Sequence, residues 1–281
     1  QGQGMETIFA QVVADTWSVD PENVIISLAD TAAIAIGFGT IASRSTVTLS
    51  AAIHGASERL RTKVFAIAAN LLECAAGDLE LRKDGVGIVG VPGAEVSLAE
   101  VARASRPGWD HRRPPGVDAG LEETYYYEPP TVTWSYAAHA AVLEVDIELG
   151  CVTIDKYCGM VVNPMLVEGQ IVGGAAQGIG GALLEEFNYD PDGQLLAGSF
   201  MDYMLPTACE IPNIELIHQH SPSPLNPLGV KGVGEGGPIA PPAVIANAVC
   251  DALRPFAVEF NRLPISPQVI HQAIASATRA R

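Results

Sequence analysis

The chain is 281 residues long, with 48% hydrophobic and 17% charged residues and a net charge of −16. That length supports one or two hydrophobic cores, and the composition belongs to a well-buried globular protein rather than a disordered one. So acidic a chain disfavours nucleic acid or an anionic membrane surface as a partner, and with no run of about 18 apolar residues it predicts no membrane-spanning helix.

The five cysteines, Cys74, Cys151, Cys158, Cys209 and Cys250, are odd in number and form no C-x-x-C pair. Free thiols in a reducing, cytoplasmic setting are therefore expected, not a disulfide framework or a zinc site. Of the six histidines only His218 and His220 lie close together, and they read as surface residues of a strand beside a Pro-rich loop. A basic partner subunit is a second way to account for part of the acidity, one that composition alone does not show.

Gln1–Thr7 carries neither a basic region nor an apolar run, so no secretory signal is expected, and the chain reads as beginning inside a fold. Glu6–Thr16 places Ile8, Phe9, Val12 and Val13 at helical spacing. The turn Asp20-Pro-Glu22 leads to a predicted strand, Val24–Leu28. The small, hydroxylated stretch Gly37–Thr46 then opens a long Ala- and Leu-rich helix from about Thr46 to Cys74, with Ser45 placed to cap it. Backbone N–H groups, the helix dipole and Arg44 make this opening suited to an anion; an ordinary helix start with a surface arginine is the alternative.

Leu79–Lys83 and Val86–Val91 flank Asp84-Gly85, a hairpin signal, and Ser97-Leu-Ala-Glu100 is a capping box for a helix to about Ala104. Ser105–Pro130 holds five prolines and three glycines and reads as an irregular connection, either a boundary between lobes or a loop around a cleft. A second hairpin is predicted from Trp134–Asp146 and Val152–Tyr157. Between Asn163 and Glu186 lies a buried-helix pattern in which Gln177 is the one uncharged hydrogen-bonding side chain from Gly173 to Leu184. If buried, it needs a partner, either a backbone carbonyl or a bound cofactor. Thr207–His220 contains a strand, Pro238–Leu253 a helix, and Ser266-Pro267 starts a final helix to about Ala280.

Before that penultimate helix comes Gly229-Val-Lys-Gly-Val-Gly-Glu-Gly-Gly-Pro238, in which glycines crowd around Glu235. It is either a mobile turn or a setting that keeps a carboxylate poorly solvated and poised as a base. Gly232–Gly237 matches G-x-G-x-x-G, but the residues before it, Ser-Pro-Ser-Pro-Leu-Asn-Pro-Leu, do not form the strand a dinucleotide fold requires. Gly173–Gly178 has Walker spacing without the Lys-Ser/Thr that must follow. What remains is a set of small-residue segments, each with one or two polar side chains, suited to loops converging on one large phosphorylated ligand.

Taken together, Gln1–Thr7, Gly39-Thr-Ile-Ala-Ser-Arg-Ser-Thr46, Asn163–Gln170, Ala176-Gln-Gly-Ile-Gly180 and Lys231–Pro242 resemble the molybdenum-pterin-binding half of the xanthine dehydrogenase family, notably large subunits like that of aerobic carbon monoxide dehydrogenase. The resemblance runs the length of the chain, with the motifs in family order. It implies an α+β fold of mixed helices and hairpin sheets in two lobes, of molybdopterin-binding type: residues 1–110, a connection over 111–130, and residues 131–281 with the Gln177 helix and the Glu235 loop.

Carried over by position, the resemblance puts Gly2, Gln3 and Gly4 at the pterin, and Ala42, Ser43, Arg44, Ser45 and Thr46 at the dinucleotide and phosphate end of the cofactor. Gly234 joins the cofactor contacts, Gln177 hydrogen-bonds near the metal, and Glu235 is the catalytic base. No protein metal ligand is implied, because the family holds molybdenum through the pterin dithiolene. The implied reaction is oxidation of a small molecule with water as the oxygen source. The implied cofactor is molybdopterin cytosine dinucleotide, with 2Fe–2S and FAD on partner subunits.

Two departures from the family pattern matter. Family large subunits are much longer, so the chain is expected to be one piece of a split subunit or a fragment, needing a chain with the missing N-terminal half; a non-catalytic assembly piece is the alternative. The stretch Asp155–Asn163 reads as about five residues short, which questions the strand there. Moreover, Glu235-Gly-Gly-Pro differs from the pattern of carbon monoxide oxidisers and favours an aldehyde or N-heterocycle.

Overall fold

The computed structural model of the chain describes residues 1–279 except 29, 35, 38, 109, 134, 160–163, 219 and 220; of residues 110, 155–159 and 164 it describes the backbone alone. The described residues form helices interleaved with two three-stranded sheets, the mixed architecture expected of an α+β chain. They fall into two compact units, Gln1–Thr133 with Ser223–Val230, and Trp134–Pro222 with Lys231–Arg281.

The first unit contains α1 (Met5–Trp17), α2 (Ser45–Leu72), β1 (Leu79–Arg82), β2 (Gly85–Ile88), β3 (Glu95–Ser97) and α3 (Leu98–Ala104). The strands are antiparallel in the order β1-β2-β3, and Asp84 turns the first hairpin at φ 58°. Strand β3 is too short to show an alternating pattern in sequence, so only pairing with β2 defines it. The capping box at α3 forms in full: Glu100 N–H donates to Ser97 Oγ and Ser97 N–H donates to the Glu100 carboxylate, each at 3.2 Å. The Ser97 hydroxyl first, and its backbone N–H second, hold the Glu100 carboxyl below its ordinary range.

The core of this unit joins Val64, Ile67 and Ala68 of α2 to Val86, Val96 and Val101. Full burial of a side chain such as Ile67 contributes about 1.5–3 kcal/mol. Trp17 closes the cluster, and its indole N–H donates to Ser57 Oγ at 3.0 Å, so the one polar atom of the ring is satisfied.

Val24–Leu28, expected as a strand, pairs with no other strand among the described residues. Its β-branched composition is not enough without a ladder partner, and Ile25 is 93% exposed. The described residues of 105–130 are irregular apart from a single turn of 3-10 helix at Asp110–Arg112. They are tied down by Tyr127, whose hydroxyl donates to the Leu225 carbonyl at 3.0 Å, and by Arg59 of α2, 4.8 Å over the Tyr125 ring.

The second unit contains β4 (Ala141–Val145), β5 (Val152–Gly159), α4 (Pro164–Leu183), β6 (Ile214–Leu216), α5 (Pro241–Ala252) and α6 (Pro267–Arg279). β4 and β5 are antiparallel, and β6 joins β5 in parallel. The predicted hairpin begins later than its sequence suggested: Trp134 lies outside the described residues, and 135–140 belong to no strand. In the questioned stretch, β5 runs to Gly159 and is paired there with Leu216. Met160–Asn163 lie outside the described residues, as do His220 and Ala280.

The core packs Ile179, Ala182 and Leu183 of α4 against Ile245, Val249 and Leu253 of α5, with Ile154, Ile265 and Ile270. Helix α5 starts at Pro241 rather than Pro238, with prolines at its first two positions, where no intrahelical N–H is lost. Among the described residues no helix is long and apolar enough to cross a membrane.

Candidate functional site

The candidate residues divide between the two units. In the first, Gly2 and Gly4 take positive φ, +82° and +74°, and Gly4 is the residue from which α1 begins. Between them Gln3 Nε2 donates to Gln1 Oε1 at 3.0 Å. A side chain at either glycine would be strained by the backbone, so this opening is restricted to residues without a Cβ.

Further along, Ala42 and Ser43 take left-handed conformations in succession, φ 50° and 51°. This pair turns the chain into α2 at Arg44, which occupies the cap position without a side-chain capping bond. Ser45, expected to cap, is instead the first helical residue; it is 8% exposed, and its hydroxyl donates to Thr40 Oγ1 at 3.2 Å. The reason is the position of the turn: once Ala42 and Ser43 have reversed the chain, the helical backbone starts one residue earlier than a cap at Ser45 would place it. Arg44 and Thr46 are half-buried at this corner. A positive side chain and the N–H groups of the first turn of a 28-residue helix form a donor set matched to phosphate.

In the second unit, α4 buries Val167, Ile171, Ala175, Ile179 and Ala182 along one face. Gln177 lies off that face and is exposed, as are Gly173 and Gly169, about one and two turns before it. The amide is therefore not a buried core group in need of a local carbonyl; it stands on the open side of a small-residue helix.

Gly234 and Glu235 are exposed at the tip of a turn closed by the Gly236 N–H donating to the Val233 carbonyl at 2.9 Å. The turn is seated on α4. Val233 packs with Val167, Ile171 and Leu216, and Gly237 is buried where a Cβ would lie 2.6 Å from the Ile171 carbonyl oxygen and 2.9 Å from the Gly174 Cα. A Cβ on Gly178 would meet the Pro238 carbonyl and the Pro241 ring, both at 2.9 Å. The glycines thus serve close backbone packing of the Glu235 turn on the helix that carries Gln177, rather than mobility. No strand leads into Gly232 among the described residues; β6 ends at Leu216.

Two residues not singled out from sequence flank this turn. Lys231 Nζ donates to Ser221 Oγ at 2.7 Å and lies 5.0 Å over the Tyr136 ring. His139 hydrogen-bonds to the Gly236 backbone; burial pushes its pKa down, and the bond to Gly236 offsets this in part. Both Tyr136 and His139 sit in a run of small residues that shows no periodicity, so only the folded chain reveals their contacts with Lys231 and the Gly236 backbone.

Residues 1–212 match the molybdopterin cofactor-binding domain family. The chain is 38% identical over 279 residues to the nicotine 6-hydroxylase large subunit of Paenarthrobacter nicotinovorans, covering 97% of this chain and 34% of that protein. It is 37% identical over 257 residues to the carbon monoxide dehydrogenase large chain of Afipia carboxidovorans, covering 90% and 31%. Among solved structures, quinoline 2-oxidoreductase from Pseudomonas putida 86 superposes with a TM-score of 0.87 at 38% identity, over 98% of this chain and 35% of that one. The chain thus spans about a third of the length of these relatives. With that match across most of its length, the chain belongs to the molybdopterin cofactor-binding domain family, the family of molybdenum hydroxylase large subunits.

Proposed function

We propose that the chain is the cofactor-binding catalytic part of a molybdenum hydroxylase that oxidises a small organic substrate, an aldehyde or an N-heterocycle, with water as the oxygen source. The observation that carries this reading is the backbone packing of the Glu235 turn on α4 at Gly237 and Gly174. It ties an exposed carboxylate to the helix that exposes the Gln177 amide.

In this reading Gly2, Gln3 and Gly4 contact the pterin, Gly234 brings bare backbone to the cofactor, and Ala42, Ser43, Arg44, Ser45 and Thr46 hold the phosphate end. The donor set at 42–46 fits such a group, and a cytosine dinucleotide form supplies the phosphates it would engage. When bound, the cofactor supplies a molybdenum centre for two-electron oxidation. Glu235 accepts the proton released as the water-derived oxygen is committed to the substrate, and the Gln177 amide donates a hydrogen bond that fixes orientation beside it. Electrons then leave through 2Fe–2S and FAD groups on partner subunits, and the rest of the large subunit completes the substrate pocket. An N-heterocyclic substrate is supported by the relatives named for nicotine and quinoline.

Elemental analysis and acid extraction of the complete enzyme, purified with its partner chains, test the cofactor assignment. Stoichiometric molybdenum and a released cytidine nucleotide are expected; a molybdenum-free enzyme that still turns over would overturn it.

A further inference from the structure

The turn that carries Glu235 has little side-chain packing of its own, since glycine stands at 232, 234, 236 and 237. Its conformation therefore depends on the few bonds made to its backbone. Val233 and Gly237 anchor the side facing α4. The irregular segment just before β4 holds it from elsewhere in the chain, at two points that bracket Glu235 in sequence: Tyr136 lies under the Lys231 ammonium at 5.0 Å, and His139 hydrogen-bonds to the Gly236 backbone. The His139 Nε2 is itself sealed from solvent. A half-buried imidazole bonded to the backbone of the residue that follows a proposed base is a specific arrangement, because a turn of glycines takes its shape from such bonds.

We infer that His139 is a positioning residue for Glu235: its hydrogen bond to Gly236 fixes the turn so that the carboxylate is held at one place above α4. Segment 135–140 is thereby a structural support of the site and not only the lead-in to a sheet. The inference rests on the reading of Glu235 as the base. The same bond ties a segment nearly a hundred residues earlier in the chain to the catalytic turn.

The test uses the complete enzyme carrying His139→Ala, His139→Asn or His139→Gln, the last two keeping an N–H donor at one or other reach. His139→Ala is expected to lower kcat by roughly ten- to a hundredfold, the scale of a small misplacement of a reacting group. KM and molybdenum content are expected to stay at the wild-type values. Amide hydrogen exchange of the peptide covering 232–237 is expected to accelerate, and at least one amide variant to restore both slow exchange and turnover.

Wild-type kcat and exchange in His139→Ala overturn the inference. So does a loss that all three variants share equally, or one that follows loss of molybdenum, since a general packing role would produce either. Glu235→Gln separates the two readings. If it retains turnover, the base assignment fails, while exchange at 232–237 still reports whether His139 holds the turn.

Discussion

The corner at Ala42–Thr46 and the turn at Val233–Gly237 are both short, small-residue loops, but they are held by different means. The corner is local: two left-handed residues, the Ser45–Thr40 hydroxyl bond and the start of a long helix define it within a few residues of chain. The turn is not. Its shape comes from α4, from Leu216 of β6 and from segment 135–140, each distant in sequence. The difference suits the chemistry proposed for each, because a phosphate needs only a cluster of donors, whereas a base must be placed to within a fraction of an ångström.

Substitutions sharpen this contrast. The largest effect is expected from Glu235→Gln, which removes the base without changing size. Turnover of the complete enzyme should fall by about 10²–10⁴, measured as kcat under saturating substrate. Arg44→Ala acts on the corner and should weaken cofactor retention by about 1.5–3 kcal/mol, the scale of a charge-assisted hydrogen bond, read as nucleotide released on dialysis.

Gly237→Ala probes the seat of the turn. Its Cβ would press on the Ile171 carbonyl oxygen at 2.6 Å, a backbone atom that cannot swing away. Stability should drop by about 1–3 kcal/mol in denaturant titration, with kcat reduced and the nucleotide retained.

The smallest effect concerns neither loop. Ser97→Ala removes the cap of α3 and should cost about 1 kcal/mol, seen as a lower melting temperature. The capping box also has a pH signature. Ser97 holds the Glu100 carboxyl below its ordinary range, so the contribution is complete above that range and is lost as the pH falls through the lowered value. Ser97→Ala should remove that acid sensitivity.

These two regions also show what was legible in the sequence. The corner, the capping box at Ser97 and the hairpin at Asp84-Gly85 are short-range patterns: the capping box forms as read, α2 starts one residue early, and the second hairpin strand ends at Ile88 rather than Val91. The long helices follow from apolar spacing for the same reason. Val24–Leu28 failed as a strand because composition supplies β-preference but not the partner that makes a ladder. Strand β3 was missed for the converse reason, since pairing with β2 creates it. His139 was hidden because a histidine among alanines has no pattern, and its role depends on a contact with residue 236. The glycines of Gly232–Gly237 were visible, but their purpose, close packing on α4, needed the fold.

The most direct test of the account measures turnover and bound molybdenum side by side in Glu235→Gln and Arg44→Ala, each in the complete enzyme. The account predicts opposite partitions: Glu235→Gln keeps its molybdenum and loses turnover per metal, while Arg44→Ala loses cofactor but turns over normally per molybdenum that remains. Wild-type turnover per molybdenum in Glu235→Gln would contradict it.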